Sequence, residues 1–160
     1  MIASALVALV LAAVPSPAPA ARALAPPGSR QVLRADINST TSVFAFVGVR
    51  PVAFVLHYGR GRWSEVPHGR VRVRELGPNA GATYRTHVLQ VAAEFSAPTR
   101  IAQAGLWVDG KAVPGQPRGT PTRFTAFGTT PRLARGLHTA AAFAEAGEAA
   151  RAVVWSFRVR

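Results

Sequence analysis

Apolar and polar residues alternate with a period of two through much of this chain, and glycine and proline interrupt the pattern at short intervals. Around residue 72, Arg70, Arg72 and Arg74 alternate with Val71 and Val73. In one strand this places the valines on a core face and the arginines in solvent. Gly77-Pro78-Asn79 ends that strand. From Tyr84 to Phe95 the same period sets His87, Leu89, Val91, Ala93 and Phe95 on one face and Thr86, Val88, Gln90, Ala92 and Glu94 on the other, predicting a second amphipathic strand. Ile101 to Val108 is followed by Asp109-Gly110 and Lys111 to Val113, a hairpin signal because a type I′ turn needs positive φ at both central residues. RFTAFGT, ending at Thr129, predicts a further strand, and the preceding VPGQPRGTPT reads as loop. Earlier, the 16 residues from Val43 to Tyr58 are the most hydrophobic stretch past the N-terminus. Arg50-Pro51 breaks them, which argues against a membrane span and predicts two short strands about a turn at Gly48 to Pro51.

The C-terminal stretch from Leu133 to Arg160 poses a choice between helix and strand, because its first half is rich in alanine and its end alternates. A helix from His138 to Val154 would carry Gly147 in its interior, at about 1 kcal/mol relative to alanine, and would leave Leu133 and Gly136 without a role. As a hairpin, Leu137, Thr139, Ala141 and Phe143 share a face, Gly147 sits in the turn, and Val153, Trp155, Phe157 and Val159 share a face of the returning strand. The hairpin is the better reading, with the alanine content ascribed to codon bias. It makes Glu145 and Glu148 neighbours of a hairpin tip and His138 a corner residue, so the three form no catalytic site.

Composition narrows the class. Apolar residues make up 49% and charged residues 16% of 160 residues, the balance of a chain that folds around a core. Residues 1–23 read as a signal peptide: Ile2 to Val14 is apolar, too short to span a bilayer, and followed by the small-x-small patterns Ala18-Pro19-Ala20 and Ala21-Arg22-Ala23. The mature chain would then begin at Ala21 or Leu24, with an uncleaved anchor as the alternative. Residues 24–36, with two prolines and no periodicity, read as a linker, residues 37–62 as an extra β-hairpin or edge segment, and 63–160 as the main domain. Cysteine is absent, so no disulfide, thiol nucleophile or thiolate metal site is available even in an oxidising compartment.

From about Val66 onward the chain resembles the bacterial immunoglobulin-like domains of exported and cell-surface proteins. The resemblance rests on three stretches in order: FSAPTRIAQAGLWVDGKAV, LARGLHTAAAFAEAGEAA and VVWSFRV. The matching positions are Asp109, Gly110, Lys111, Leu133, Gly136, His138, Thr139, Gly147, Trp155, Phe157 and Val159. It departs from the family in its alanine-rich strand after His138 and in lacking an asparagine after Gly147. The resemblance implies an all-β fold, a two-sheet immunoglobulin-like sandwich of about seven strands. It further implies a non-enzymatic spacer, adhesive or binding role at the cell envelope, and no catalytic residues.

The formal charge of +12 carries the main hint of a partner. Of 19 basic residues, Lys111 is the only lysine, a bias that a GC-rich genome produces, so arginine identity alone is weak support for bidentate anion recognition. The excess charge still attracts polyanions. Arg60, Arg62, Arg70, Arg72, Arg74 and Arg85 face only Glu65 and Glu75 within 26 residues. Arg70, Arg72 and Arg74 would track about 13 Å of an acidic polymer along one strand, with Trp63 beside them to stack on a base or sugar. The competing reading is a solvated edge strand whose charges block aggregation. The expected partners are therefore an anionic envelope polymer or another envelope protein. No cofactor is expected. His57, His68, His87 and His138 lack ligand spacing, and no nucleophile elbow, HExxH, paired-carboxylate frame or phosphate loop is present, so neither a metal nor a catalytic residue is assigned.

Overall fold

The computed structural model describes residues 13–160. Among the described residues thirteen strands form three sheets, accompanied by one short helix, α1 (Ala18–Leu24). The first sheet is an antiparallel meander of β1 (Arg30–Asn38), β2 (Thr41–Val47), β3 (Val52–Gly59) and β4 (Arg62–Glu65). The second runs β10 (Gln116–Thr120), β11 (Arg123–Thr129), β7 (Gln90–Ser96), β5 (Arg72–Gly77). The third runs β6 (Thr83–Tyr84), β13 (Ala149–Val159), β12 (Gly136–Ala146), β8 (Gln103–Val108), β9 (Lys111–Ala112), and in it only the short β6 pairs parallel, with β13.

The third sheet is the middle layer. Ala140, Ala142, Ala144, Trp155, Phe157 and Val159 project from it onto Val91, Ala93, Phe95 and Ala126 of the second sheet. From its other face Trp107, Ala141, Phe143, Ala152 and Val154 pack against Leu33, Val43, Ala45 and Val55 of the first. The first sheet then turns Phe44, Phe46, Phe54 and Leu56 outward onto Ala21 of α1. The order of layers is helix, first sheet, third sheet, second sheet. Two strand pairs, β2–β3 and β12–β13, are therefore covered on both faces, and such strands read as continuous apolar runs. That is the physical reason for the hydrophobic stretch from Val43 to Tyr58. It is equally the reason for the alanines of β12: Ala140 to Ala142 and Ala144 are 0 to 4% exposed, and small side chains on both faces let two neighbouring sheets approach. Codon bias is not needed to explain them.

The turns form where the sequence places them. β2 and β3 are joined across residues 48–51. Asp109 and Gly110 have φ of 50° and 76°, the positive pair a type I′ turn requires. Gly147 has φ of 60° between β12 and β13, whose register pairs Ala146 with Ala149.

Several expectations are corrected. Residues 30–36 of the stretch read as linker form most of β1, held by pairing with β2, because a neighbouring strand and buried Leu33 override the Pro-Gly signal before it. The N-terminal addition is thus a four-stranded sheet rather than a hairpin. The segment read as loop contains β10, which pairs with β11 despite Pro117 and Gly119, as an edge strand tolerates. The second and third sheets hold nine strands rather than about seven, two of them only two residues long. The strand expected from Tyr84 to Phe95 begins only at Gln90, because His87 and Leu89 are taken by the crossing chain: Leu133 N–H donates to His87 O, and Thr130 N–H donates to Leu89 O.

The leader assigned to residues 1–23 lies partly outside the described residues. Within them, α1 spans both small-residue cleavage patterns, and Trp63 Nε1 donates to Pro15 O at 2.7 Å. Among the described residues no helix is long and apolar enough to cross a membrane.

Candidate functional site

The seven residues singled out for anion binding divide between sheets. Arg60, with φ of 52°, and Arg62 belong to the β3–β4 hairpin of the first sheet. Trp63 in β4 is half-buried, its ring 5.5 Å from Tyr58 and its N–H spent on Pro15, and it belongs to the first sheet whereas the arginines of β5 belong to the second. Arg70 lies in the turn before β5, where Val71 N–H donates to His68 O, and Arg85 follows β6. Only Arg72 and Arg74 stand on the strand together, because the turn at residues 68–71 takes Arg70 out of the ladder.

Those two gain partners that no local pattern reveals. The inward residues of the second sheet are Val73, Val91, Ala93, Phe95, Phe124 and Ala126, so alternate positions face solvent. Register then fixes lateral rows: Ser96 on β7 pairs with Arg72 on β5 and with Arg123 on β11, and Glu94 pairs with Arg74 and Thr125. Strands lie about 4.8 Å apart, so Arg72 and Arg123 flank Ser96 across roughly 10 Å, with Glu94 one step along. Arg74 Nη2 contacts Glu94 Oε1 at 3.2 Å and Arg123 Nη2 contacts Oε2 at 3.4 Å. Arg151 of β13 lines the same depression, about 500 Å³ in volume. Four guanidinium groups meet one carboxylate there. Further along the face, Arg118 of β10 lies over the Phe127 ring, 5.7 Å from its centre.

A second cleft, about 310 Å³, separates the first sheet from the β12–β13 tip and is lined by Thr41, His57, Ser64, Glu65, Glu145 and Glu148, among others. Glu145 Oε2 is buried there without a hydrogen-bond partner. The topology brings Glu65 to the two hairpin-tip glutamates, which the sequence keeps 80 residues apart. Among the described residues no group of three or more His, Cys, Asp or Glu side chains has the arrangement of a metal site.

His138, a corner residue by its sequence position, joins the start of β12 to the β8–β9 turn. Its Nδ1 lies 2.6 Å from Asp109 Oδ2 and its Nε2 2.6 Å from Ala134 O, while Asp109 Oδ1 accepts from Thr139 N–H at 3.0 Å. Both ring partners are acceptors, and only the imidazolium can donate twice. Burial alone lowers the His138 pKa, but the hydrogen bond to Asp109, the one to Ala134 O and the Asp109 charge together raise it above the ordinary 6.5. The ring stacks on Phe157 at 5.7 Å. This is a structural clamp with no access for a substrate's reacting atoms from its two occupied nitrogens.

Among known proteins, no family model matches the chain and no curated sequence matches it.

Proposed function

We propose that the chain is an exported, non-enzymatic immunoglobulin-like module that binds at the cell envelope, with an additional N-terminal sheet laid on one face. The observation that carries the fold half of this reading is strand order. Lettered from β5 as A, through β6 as A′ and β7 as B to β13 as G, the two facing sheets read D-E-B-A and A′-G-F-C-C′. The immunoglobulin pattern sets the A, B, E and D strands against C, F and G. His138 serves at the start of the F strand as the corner tyrosine does in that family, bonding the backbone of Ala134 four residues upstream. The two-sided burial of β12 accounts for the alanines that depart from the family pattern.

The ligand this module suits best is an anionic polymer, bound through the arginine-lined face of the second sheet. The supporting observation is the gathering of Arg72, Arg74, Arg123 and Arg151 around the single Glu94, in a chain of net charge +12. Co-sedimentation of the purified protein with isolated envelope material tests the reading. The protein is expected to pellet saturably at low salt and to be released as salt rises. Failure to pellet, or pelleting indifferent to salt, overturns it.

A further inference from the structure

The anionic-polymer reading leaves open what chemical group is recognised, and the rows of the second sheet answer that. Resting on that reading, we infer that the depression over Ser96 is a discrete subsite for one tetrahedral oxyanion, a phosphate or sulfate ester, with Glu94 as the internal anion it displaces. Ser96 lies between Arg72 and Arg123 on paired strands, and its hydroxyl has no side-chain partner among the described residues. An ester oxygen seated above Ser96 therefore meets a hydroxyl donor from below and guanidinium forks from two sides. This three-sided arrangement fits a tetrahedral group, whereas a planar carboxylate is satisfied by one fork.

The electrostatics favour exchange. Neither Arg72 nor Arg151 has a carboxylate partner among the described residues. Arg74 and Arg123 are tied to Glu94, but their side chains are 66% and 70% exposed, and exposed pairs of this kind contribute little. Four arginines against one glutamate leave the depression with three uncompensated positive charges. Glu94 therefore holds two guanidinium groups in place while opposing the entry of any external anion, which makes its substitution informative: a ligand site gains affinity when Glu94 loses its charge, and a purely structural ion-pair cluster does not.

The test measures binding of a single-stranded oligonucleotide and of a sulfated dextran to the full chain at low salt. Variants are Arg72→Gln, Arg123→Gln, Ser96→Ala and Glu94→Gln, with Arg60→Gln and Arg62→Gln on the first sheet as controls, each verified by its melting curve. Arg72→Gln and Arg123→Gln are expected to weaken binding about tenfold, as loss of a charge-assisted hydrogen bond does. Glu94→Gln is expected to strengthen it severalfold, and the controls to leave it unchanged. Tighter binding of the oligonucleotide identifies a phosphate ester, and of the dextran a sulfate ester. Saturable binding that is indifferent to the second-sheet variants overturns the subsite while sparing the polymer reading. Absence of saturable binding to both polymers overturns both.

Discussion

Raising the pH above the ordinary histidine range should loosen the corner that His138 holds. Below that range the imidazolium donates to Asp109 Oδ2 and to Ala134 O, each at 2.6 Å. Deprotonation leaves one donor for two acceptors, so one contact is lost. A hydrogen bond involving a charged group contributes about 1.5–3 kcal/mol, and because Asp109 is 42% exposed the loss is better set at about 1 kcal/mol. The folded pKa lies above the ordinary 6.5, so between the two values the native state binds more protons than the unfolded chain and stability falls as pH rises. The contribution is fully present below about pH 6.5 and is lost as pH passes the folded pKa. Thermal melts of the wild type and His138→Asn across pH 5.5 to 9 isolate the effect, since the two chains differ at no other residue. The wild type should melt higher below pH 6.5, by roughly 2–4 °C per kcal/mol for a domain of this size, and the difference should shrink as pH rises. A constant difference across the range would refute the two-acceptor argument.

Other parts of the fold carry their own tests. A chain beginning at Leu24 loses most of α1 and the Pro15 carbonyl, uncovering part of Phe44, Phe46, Phe54 and Leu56, which are now 0 to 3% exposed. If a quarter of their area is wetted, about 4 kcal/mol is lost, and binding of an apolar fluorescent dye should rise; an unchanged melting temperature and no dye signal would show that α1 is dispensable. Ala141→Leu forces a larger side chain between β12 and the first sheet and should cost about 1–3 kcal/mol in a denaturant titration, whereas a β12 whose Ala141 face met solvent would tolerate it. Gly105→Ala would set a Cβ 2.5 Å from the Trp107 ring and should lower stability by a similar amount with altered tryptophan fluorescence.

What could be read from sequence depended on whether the cause was local. The turns at Asp109-Gly110 and Gly147 are determined by backbone preferences of the residues themselves, and the C-terminal hairpin by its period and its central glycine. β1 and β10 were hidden because their prolines and glycines signal loops, and only pairing with a neighbouring strand overrides that signal. The layering was hidden for a related reason. A strand covered on both faces loses its alternation, so β12 resembles a helix and β2–β3 a greasy run until the third sheet is in place. At the arginine face, Arg72 and Arg74 were legible from alternation within one strand. Arg123 and Arg151 were not, since they arrive from strands about 50 and 80 residues away through register that nothing local encodes. Trp63 misleads because an aromatic near arginines in sequence reads the same whether its ring is free or packed on Tyr58 with its N–H bonded to Pro15.

The most direct test of the central claim is the salt dependence of oligonucleotide binding by the wild-type chain. If three arginines of the second sheet each meet a phosphate of a single strand, a plot of log affinity against log salt should fall with a slope of about −2. Saturable binding with that slope is the predicted result. A slope near zero, or no saturable binding of either the oligonucleotide or the sulfated dextran at low salt, would contradict the claim that this face binds an anionic polymer.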